Sequence, residues 1–580
     1  MNVEAKQKGH PRGLYVLFAT EMWERFNYYG MRAILVLFMT KALLFDKAFA
    51  SNLYGSYTSL VYLTPLIGGF VADRYWGNRR SIVVGGLLMA LGEFLLFACA
   101  SLYHESQGIS AFLFYSGLGF MIAGNGFFKP NISSMVGQLY PEGDRRIDAA
   151  YTIFYMGINV GGAIGPVICG GLGESDDPSD FKWSFLAAGI AMLLSVVVFQ
   201  WLKDYYIHRP NGEPLGLAPE KEVKVNPDGT TTPAKSYGPF VVYLMLFVFS
   251  AAMIGMLYLD AKVFSYLTYL LVLSVLGIGF MIFNDKTLTV IEKKKIVVIF
   301  ILAFFVVFFW SAFEQAGASL TFFADEQTNR DLNWNIPGWL MGTLTIGLMA
   351  YLLYLVKRIQ SAMKNDPASV RIVLSILLLA GAAYLAYFNI NLFFIRESAD
   401  EYLKEVPASA FQSLNSIFVV VFAPIFAAIW LKLGKYEPSS PTKMAFGLMF
   451  LALGYWLIAH GVSSVSAGTK VTMMYLIGMY ALHTWGELCL SPIGLALVNK
   501  LAPAKFASLL MAVWFLANAA ANKLAGVLSA LYPDGKTTVF LGYKMSNLND
   551  FFMLFVFMAG TASIILFLIS KQLQKLMNAK

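Results

Sequence analysis

Glu21-Met-Trp-Glu24-Arg25-Phe-Asn-Tyr28-Tyr29-Gly-Met-Arg32 lies inside an apolar stretch from about Leu14 to Met39 and sets four charged side chains within it. At helical spacing Glu21, Glu24, Arg25, Tyr28 and Arg32 fall at i, i+3, i+4, i+7 and i+11 and share one face. A charge at membrane depth costs roughly 3 kcal/mol or more and usually faces a protein interior or a water-filled cavity. The stretch therefore predicts a membrane helix with a wet internal face. Carboxylates beside an arginine are a natural proton site, because a neighbouring cation alters how tightly they hold a proton. The plainer alternative is a set of ion pairs that only lock helices together.

Of the 580 residues, 58% are hydrophobic, 15% aromatic and only 13% charged, with a mean hydropathy of +0.61. That composition defines a polytopic membrane protein, not a soluble domain. The net charge of +8 is spread over short connections between apolar runs, so it reads as an orientation signal. The bilayer is the expected partner, and no nucleic acid is. Cys99, Cys169 and Cys489 lie in apolar segments without metal-ligand spacing, so no disulfide framework, metal or other cofactor is expected. The first 13 residues are short, polar and basic, and the apolar run after them is too long and too charged for a cleaved signal.

Apolar spans long enough to cross a bilayer fall near 14–39, 51–73, 81–102, 110–137, 145–171 and 182–202. A Pro-rich, charged linker covers 203–237, and a tight hairpin of two spans follows at 238–259 and 263–284. Further spans lie near 296–323, 338–358, 370–395, 408–432, 442–464, 472–499, 506–531 and 549–570, about sixteen in all. Arg74, Arg79 and Arg80, Arg145 and Arg146, Lys293 to Lys295, Lys357 to Arg371, Lys432 to Lys443, and Lys500 with Lys505 then fall on one side, which is the cytoplasm. Both termini are expected there. The expected domains are 1–202, a six-helix bundle; 203–237, the linker; 238–295, the hairpin and a basic loop; and 296–580, a second bundle with an inserted pair at about 338–395.

Gly69-Phe-Val-Ala-Asp73-Arg74-Tyr-Trp-Gly77-Asn-Arg79-Arg80 follows the second span. Its carboxylate, followed by a tight glycine turn and arginines, can pair with the terminus of the next helix, a contact that can break and re-form as bundles rock. It looks like the loop signature of the major facilitator superfamily. Lys129, in Gly124-Asn-Gly126-Phe-Phe-Lys129-Pro130-Asn131, sits within an apolar span and needs a carboxylate from the protein or a ligand, unless it snorkels to the surface. Asn159, in Phe154-Tyr155-Met-Gly-Ile-Asn159-Val-Gly161-Gly162, is either helix glue or a ligand-binding amide.

These stretches together resemble the proton-coupled oligopeptide transporter family of the major facilitator superfamily, in its bacterial form. The resemblance continues through Phe309-Trp310-Ser-Ala-Phe-Glu314-Gln315, Phe411-Gln-Ser-Leu-Asn415, Gly486-Glu487-Leu-Cys-Leu-Ser491-Pro492 and Met511-Ala-Val-Trp514. It implies an all-helical fold of two six-helix bundles with an extra hairpin between them, and it leaves the pair at 338–395 unassigned. It further implies a non-enzymatic inner-membrane symporter, acting as a monomer, that imports di- and tripeptides with protons. Glu21, Glu24, Arg25 and Glu314 would couple protons. Arg25, Lys129 and Arg32 would favour the peptide carboxylate; Asn159, Asn415 and Glu487 would hold its ammonium. Tyr28, Tyr29 and Tyr62 would line the cavity, with Trp514 shaping a side-chain pocket. Arg32 with Glu314 would form the outer gate, and Lys129 with Glu487 the inner one. Phe313 departs from the family by replacing the first of two acidic positions found in some members. Rival readings are another zwitterionic or anionic solute, such as an amino acid, nitrate or a peptide-like drug, and a sensor that binds without transporting.

Overall fold

The computed structural model describes residues 9–219, 223–225, 231–233, 239–263, 266–332, 338–364, 366–390, 405–466 and 468–579. The extreme N-terminus, part of the linker and the acidic connection after 390 lie outside the described residues. Helices dominate because backbone N–H and C=O groups in hydrocarbon must be satisfied within the chain.

Six helices come first: α1 (Arg12–Leu37), α2 (Lys47–Val71), α3 (Gly77–Leu102), α4 (Gln107–Gln138), α5 (Ile147–Gly173) and α6 (Phe181–Tyr206). The hairpin is α7 (Pro239–Val263) and α8 (Tyr266–Phe283). Next come α9 (Val290–Phe313), the short α10 (Ser319–Glu326), α11 (Gly338–Ala362) and α12 (Ala368–Ile390). The chain ends with α13 (Ser413–Leu433), α14 (Ser440–Ser463), α15 (Met473–Leu501), α16 (Ala507–Ser529) and α17 (Leu548–Met577). Several starts are set by side-chain caps, which satisfy first-turn N–H groups. Asp46 accepts from the Phe49 N–H, and Thr289 with Glu292 forms a capping box at α9.

Thirteen described stretches are long and apolar enough to cross a membrane. One of them, Lys47–Leu102, holds both α2 and α3, while α1, with its embedded charges, and α15 fall outside the thirteen. The protein is thus a multi-pass membrane protein. The expected span at 296–323 is not one helix: it breaks into a tight turn at Glu314–Gly317 before α10 resumes. Gly317 lies against the Tyr54 phenol, where a Cβ has no room, and the break turns Glu314 toward α1.

Two compact units make up the chain, Met1–Asn329 with Pro407–Lys580, and Arg330–Val406. In the first, α1 packs on α5 and α6 and α3 on α4 and α6, while α14 packs on α15 and α17 and α9 on α16. The two halves meet where α2 packs on α16 and α5 on α13. Glu93 of α3 is buried and accepts from the Asn27 side chain at 2.9 Å, joining α3 to α1. In the second unit α11 and α12 form an antiparallel pair joined by two polar contacts, Thr345 to Asn389 (2.9 Å) and Gln360 to Ser375 (2.8 Å).

The superfamily-like loop closes differently from expectation. Among the described residues Asp73 forms no ion pair. Arg79 is the residue that staples the loop: it pairs with Asp204 at the end of α6 (2.5 Å) and donates to the carbonyls of Leu215 (2.5 Å) and Ile207 (2.8 Å). An arginine with five donors satisfies a carboxylate and several carbonyls at once, which the short Asp73 cannot do.

Candidate functional site

The charged face of α1 is buried as one cluster. Arg25 Nε lies 2.9 Å from Glu21 Oε1 and 2.7 Å from Glu24 Oε2, so one guanidinium serves two carboxylates of its own helix. All three side chains are at most 2% exposed. Helical geometry produces this: residues three and four apart share a face, and Gly161 of α5 lets α1 approach so closely that a Cβ there would lie 2.8 Å from the Arg25 Cβ. Arg25 also lies 5.6 Å from the Tyr28 ring. Asn125 of α4 donates to Glu24 Oε1 at 3.4 Å, and the Arg25 Nη2 is buried without a hydrogen-bond partner among the described residues.

Two turns beyond Arg25 along α1, Arg32 pairs with Glu314 and donates to the Tyr54 hydroxyl. Both charges are buried. This is the cross-half contact expected of an outer gate. Lys41–Asp325 (2.8 Å) and Lys47–Glu326 (2.6 Å) join the two halves at the same end.

A cavity of about 100 Å³ lies beside Arg32, between α1, α2, α5, α9, α13 and α15. Of the expected residues it brings together Tyr29, Arg32, Tyr62, Glu314, Asn415 and Glu487. Asn415 donates to Glu487 Oε2 at 2.8 Å and to Thr484 at 3.2 Å, which aims the Glu487 carboxylate. Glu21, Glu24, Arg25, Tyr28, Lys129, Asn159 and Trp514 do not line this cavity. The Asn159 side-chain amide donates to the Tyr155 carbonyl of its own helix (2.9 Å), and Trp514 packs against Gly494.

The Lys129–Glu487 pair expected at the inner gate is not formed. Lys129 Nζ lies 4.9 Å over the Tyr62 ring and Glu487 is held by Asn415. Among the described residues the ion pairs between the halves gather at the Glu314 end. Several site residues were missed from the sequence. Tyr54 and Asn125 touch charges of α1, and Trp310, Phe313 and Tyr480 line the cavity; His483, which the sequence places one turn before Glu487, lines it too. Asn125 and Phe313 stand within stretches already singled out, but nothing local marks Tyr54.

Two helical halves enclosing a charged cavity, with ion pairs across one end, define a membrane carrier of the major facilitator fold. The sequence profile described as the POT family matches residues 79–365 and 389–546, and the chain belongs to that family of proton-coupled oligopeptide transporters. The match omits most of α12 and begins after α2. The chain is 33% identical to the uncharacterised transporter YclF of Bacillus subtilis over 92% of this chain and 90% of that one. It is 31% identical to the peptide transporter YePEPT of Yersinia enterocolitica, over 90% and 88%. A crystal structure of a peptide transporter POT mutant in complex with alafosfalin is similar at a TM-score of 0.71 and 27% identity, covering 99% of this chain and 97% of that one.

Proposed function

We propose that the protein is a proton-coupled symporter that imports di- and tripeptides across the inner membrane by alternating access. Membership of the POT family and relatives named as peptide transporters support this reading. The observation that carries it is the surroundings of Arg25: two carboxylates share its Nε side, while its Nη2 has no hydrogen-bond partner among the described residues. Protonation of Glu24 or Glu21 weakens that hold and frees the guanidinium for a substrate carboxylate, so proton uptake and peptide binding favour one another.

A peptide zwitterion in a low-dielectric cavity needs opposite charges at its two ends. Arg25, Arg32 and Lys129 supply the positive side, and Glu487, aimed by Asn415, the negative one; Asn159 assists at the ammonium. Tyr28, Tyr29, Tyr62 and Trp514 give side chains an aromatic and permissive surround. Glu314 takes part in coupling because its protonation would release Arg32 and open the outer gate, while Lys129 and Glu487 close the inner one. The proton is the only coupling agent, and the protein works as a monomer with both termini in the cytoplasm. One proton supplies about 2.3 kcal/mol per 100 mV and about 1.4 kcal/mol per pH unit.

The test is uptake of labelled dialanine into proteoliposomes under an inward proton gradient and inside-negative potential, comparing wild type with Glu24→Gln. Accumulation should collapse in the variant while counterflow exchange survives. No dialanine uptake by folded wild-type protein would refute the peptide reading.

A further inference from the structure

Asp260 lies one turn from the tip of the hairpin α7–α8. Asp260 is 2% exposed, and its two oxygens serve different parts of the molecule. Oδ1 accepts from the Leu267 N–H in the first turn of α8 (3.0 Å). Oδ2 lies 2.5 Å from Lys523 Nζ of α16 and 2.5 Å from the Ser56 hydroxyl of α2, and Lys523 also donates to Ser56 at 2.7 Å. Lys523 and Ser56 are buried as well. One carboxylate thus joins the hairpin, the first half and the second half.

The cluster sits on the seam along which α2 meets α16. On that seam a Cβ at Gly55 would lie 2.7 Å from the Gly526 Cα, and Ser529 donates to Ser51 at 3.1 Å. The hairpin straddles the seam. Helix α7 packs on α4 of the first half, with Tyr258 against Tyr115 (5.3 Å) and Phe249 against Phe127 (5.7 Å). Helix α8 packs on α16 of the second half. It is also tied near its other end, where Asp285, just beyond α8, pairs with Lys505, just before α16, at 2.6 Å.

We infer that the hairpin is a strap across the two halves, and that Asp260, Lys523 and Ser56 are positioning residues that hold the outer side closed. This rests on the alternating-access reading above. Outward opening separates α2 from α16. With α8 tied to α16 at both ends, the Asp260–Lys523 pair travels with the second half, because separating a buried ion pair leaves both charges uncompensated. The bonds to Ser56 then break, and α7 slides over α4. The hairpin thereby sets the balance between the two states without touching the substrate.

Spin labels at the exposed positions Glu105 and Lys536, one on each half and both toward the outer side, read that balance as a distance distribution in membranes. Ser56→Ala keeps the ion pair intact, and Asp260→Asn with Lys523→Gln removes both charges together. Each should move the ratio of populations about fivefold or more toward the wider distance, with a matching change in KM for external peptide. Should the double variant fail to fold, Ser56→Ala decides alone. Wild-type ratios and KM in folded variants would overturn the inference and make the hairpin an appendage. Failure of dialanine uptake by wild type overturns the substrate reading instead, and the distance ratio, which needs no substrate, still decides this one.

Discussion

Arg32 and Glu314 form a buried pair between the halves, with Tyr54 as a third partner. Removing one charge leaves the other stranded in low dielectric, which costs about 3–5 kcal/mol. Glu314→Gln should therefore lower the thermal unfolding midpoint in detergent, and Arg32→Met with Glu314→Gln should restore most of it. A single variant as stable as wild type would show that Arg32 finds another partner. The sharing of Arg25 by Glu21 and Glu24 was legible in the sequence, since spacing on one helix fixes which side chains meet. The Tyr54–Arg32 bond was not, because it depends on how α2 sits against α1. For the same reason the cavity gathers Tyr29, Tyr62 and Glu487 while the Asn159 Nδ2 donates to its own helix's backbone.

Among the elements, the tie from α8 to α16 differs chemically from the clusters within the membrane. The Lys505 ammonium, helped by Thr287, holds the Asp285 carboxyl down to about 2. A carboxyl lowered on folding contributes stability above its ordinary value near 3.9, and the contribution is lost as pH falls through about 2. Asp285 therefore stays ionised between about pH 5 and 8, where a proton gradient operates. Asp285→Asn is expected to lower the uptake rate and leave the shape of its pH profile unchanged. A displaced profile would mean that Asp285 belongs to the coupling machinery. The spans themselves were legible as runs of hydropathy, down to the short hairpin turn. The break at Glu314–Gly317 was not, because the apolar runs on either side of it read as one span, and the Tyr54 ring beside Gly317 is contributed by a different helix.

For the whole molecule, the end nearest Glu314 carries three partly exposed pairs. Lys47 bridges Glu326 at 2.6 Å and Asp534 at 3.0 Å, and Lys41 meets Asp325. Such pairs are worth about 0–1 kcal/mol each and are screened by salt. Lys47→Ala, which removes two such pairs, should shift the balance toward outward opening by about thirtyfold at most, and raising salt should reduce the difference between variant and wild type. The same labelled positions report both, and an effect independent of salt would point to packing of Lys47 on Phe322 and Tyr532 in place of its charge. The orientation expected from the lysine and arginine pattern comes from composition alone. Which lysine finds which carboxylate across the halves depends on chain segments hundreds of residues apart, and no local pattern encodes that.

That separation also bears on how the protein is made. Asp260 precedes Lys523 by 263 residues. At roughly 5–20 residues per second, the hairpin is synthesised roughly 15–50 s before its cation exists. During that wait the carboxylate has two partners already at hand, the Leu267 N–H seven residues on and the Ser56 hydroxyl of α2. The hairpin can thus be held by the first half while the ribosome completes the second, and the arrival of α16 adds the Lys523 cation to two partners that stay in place.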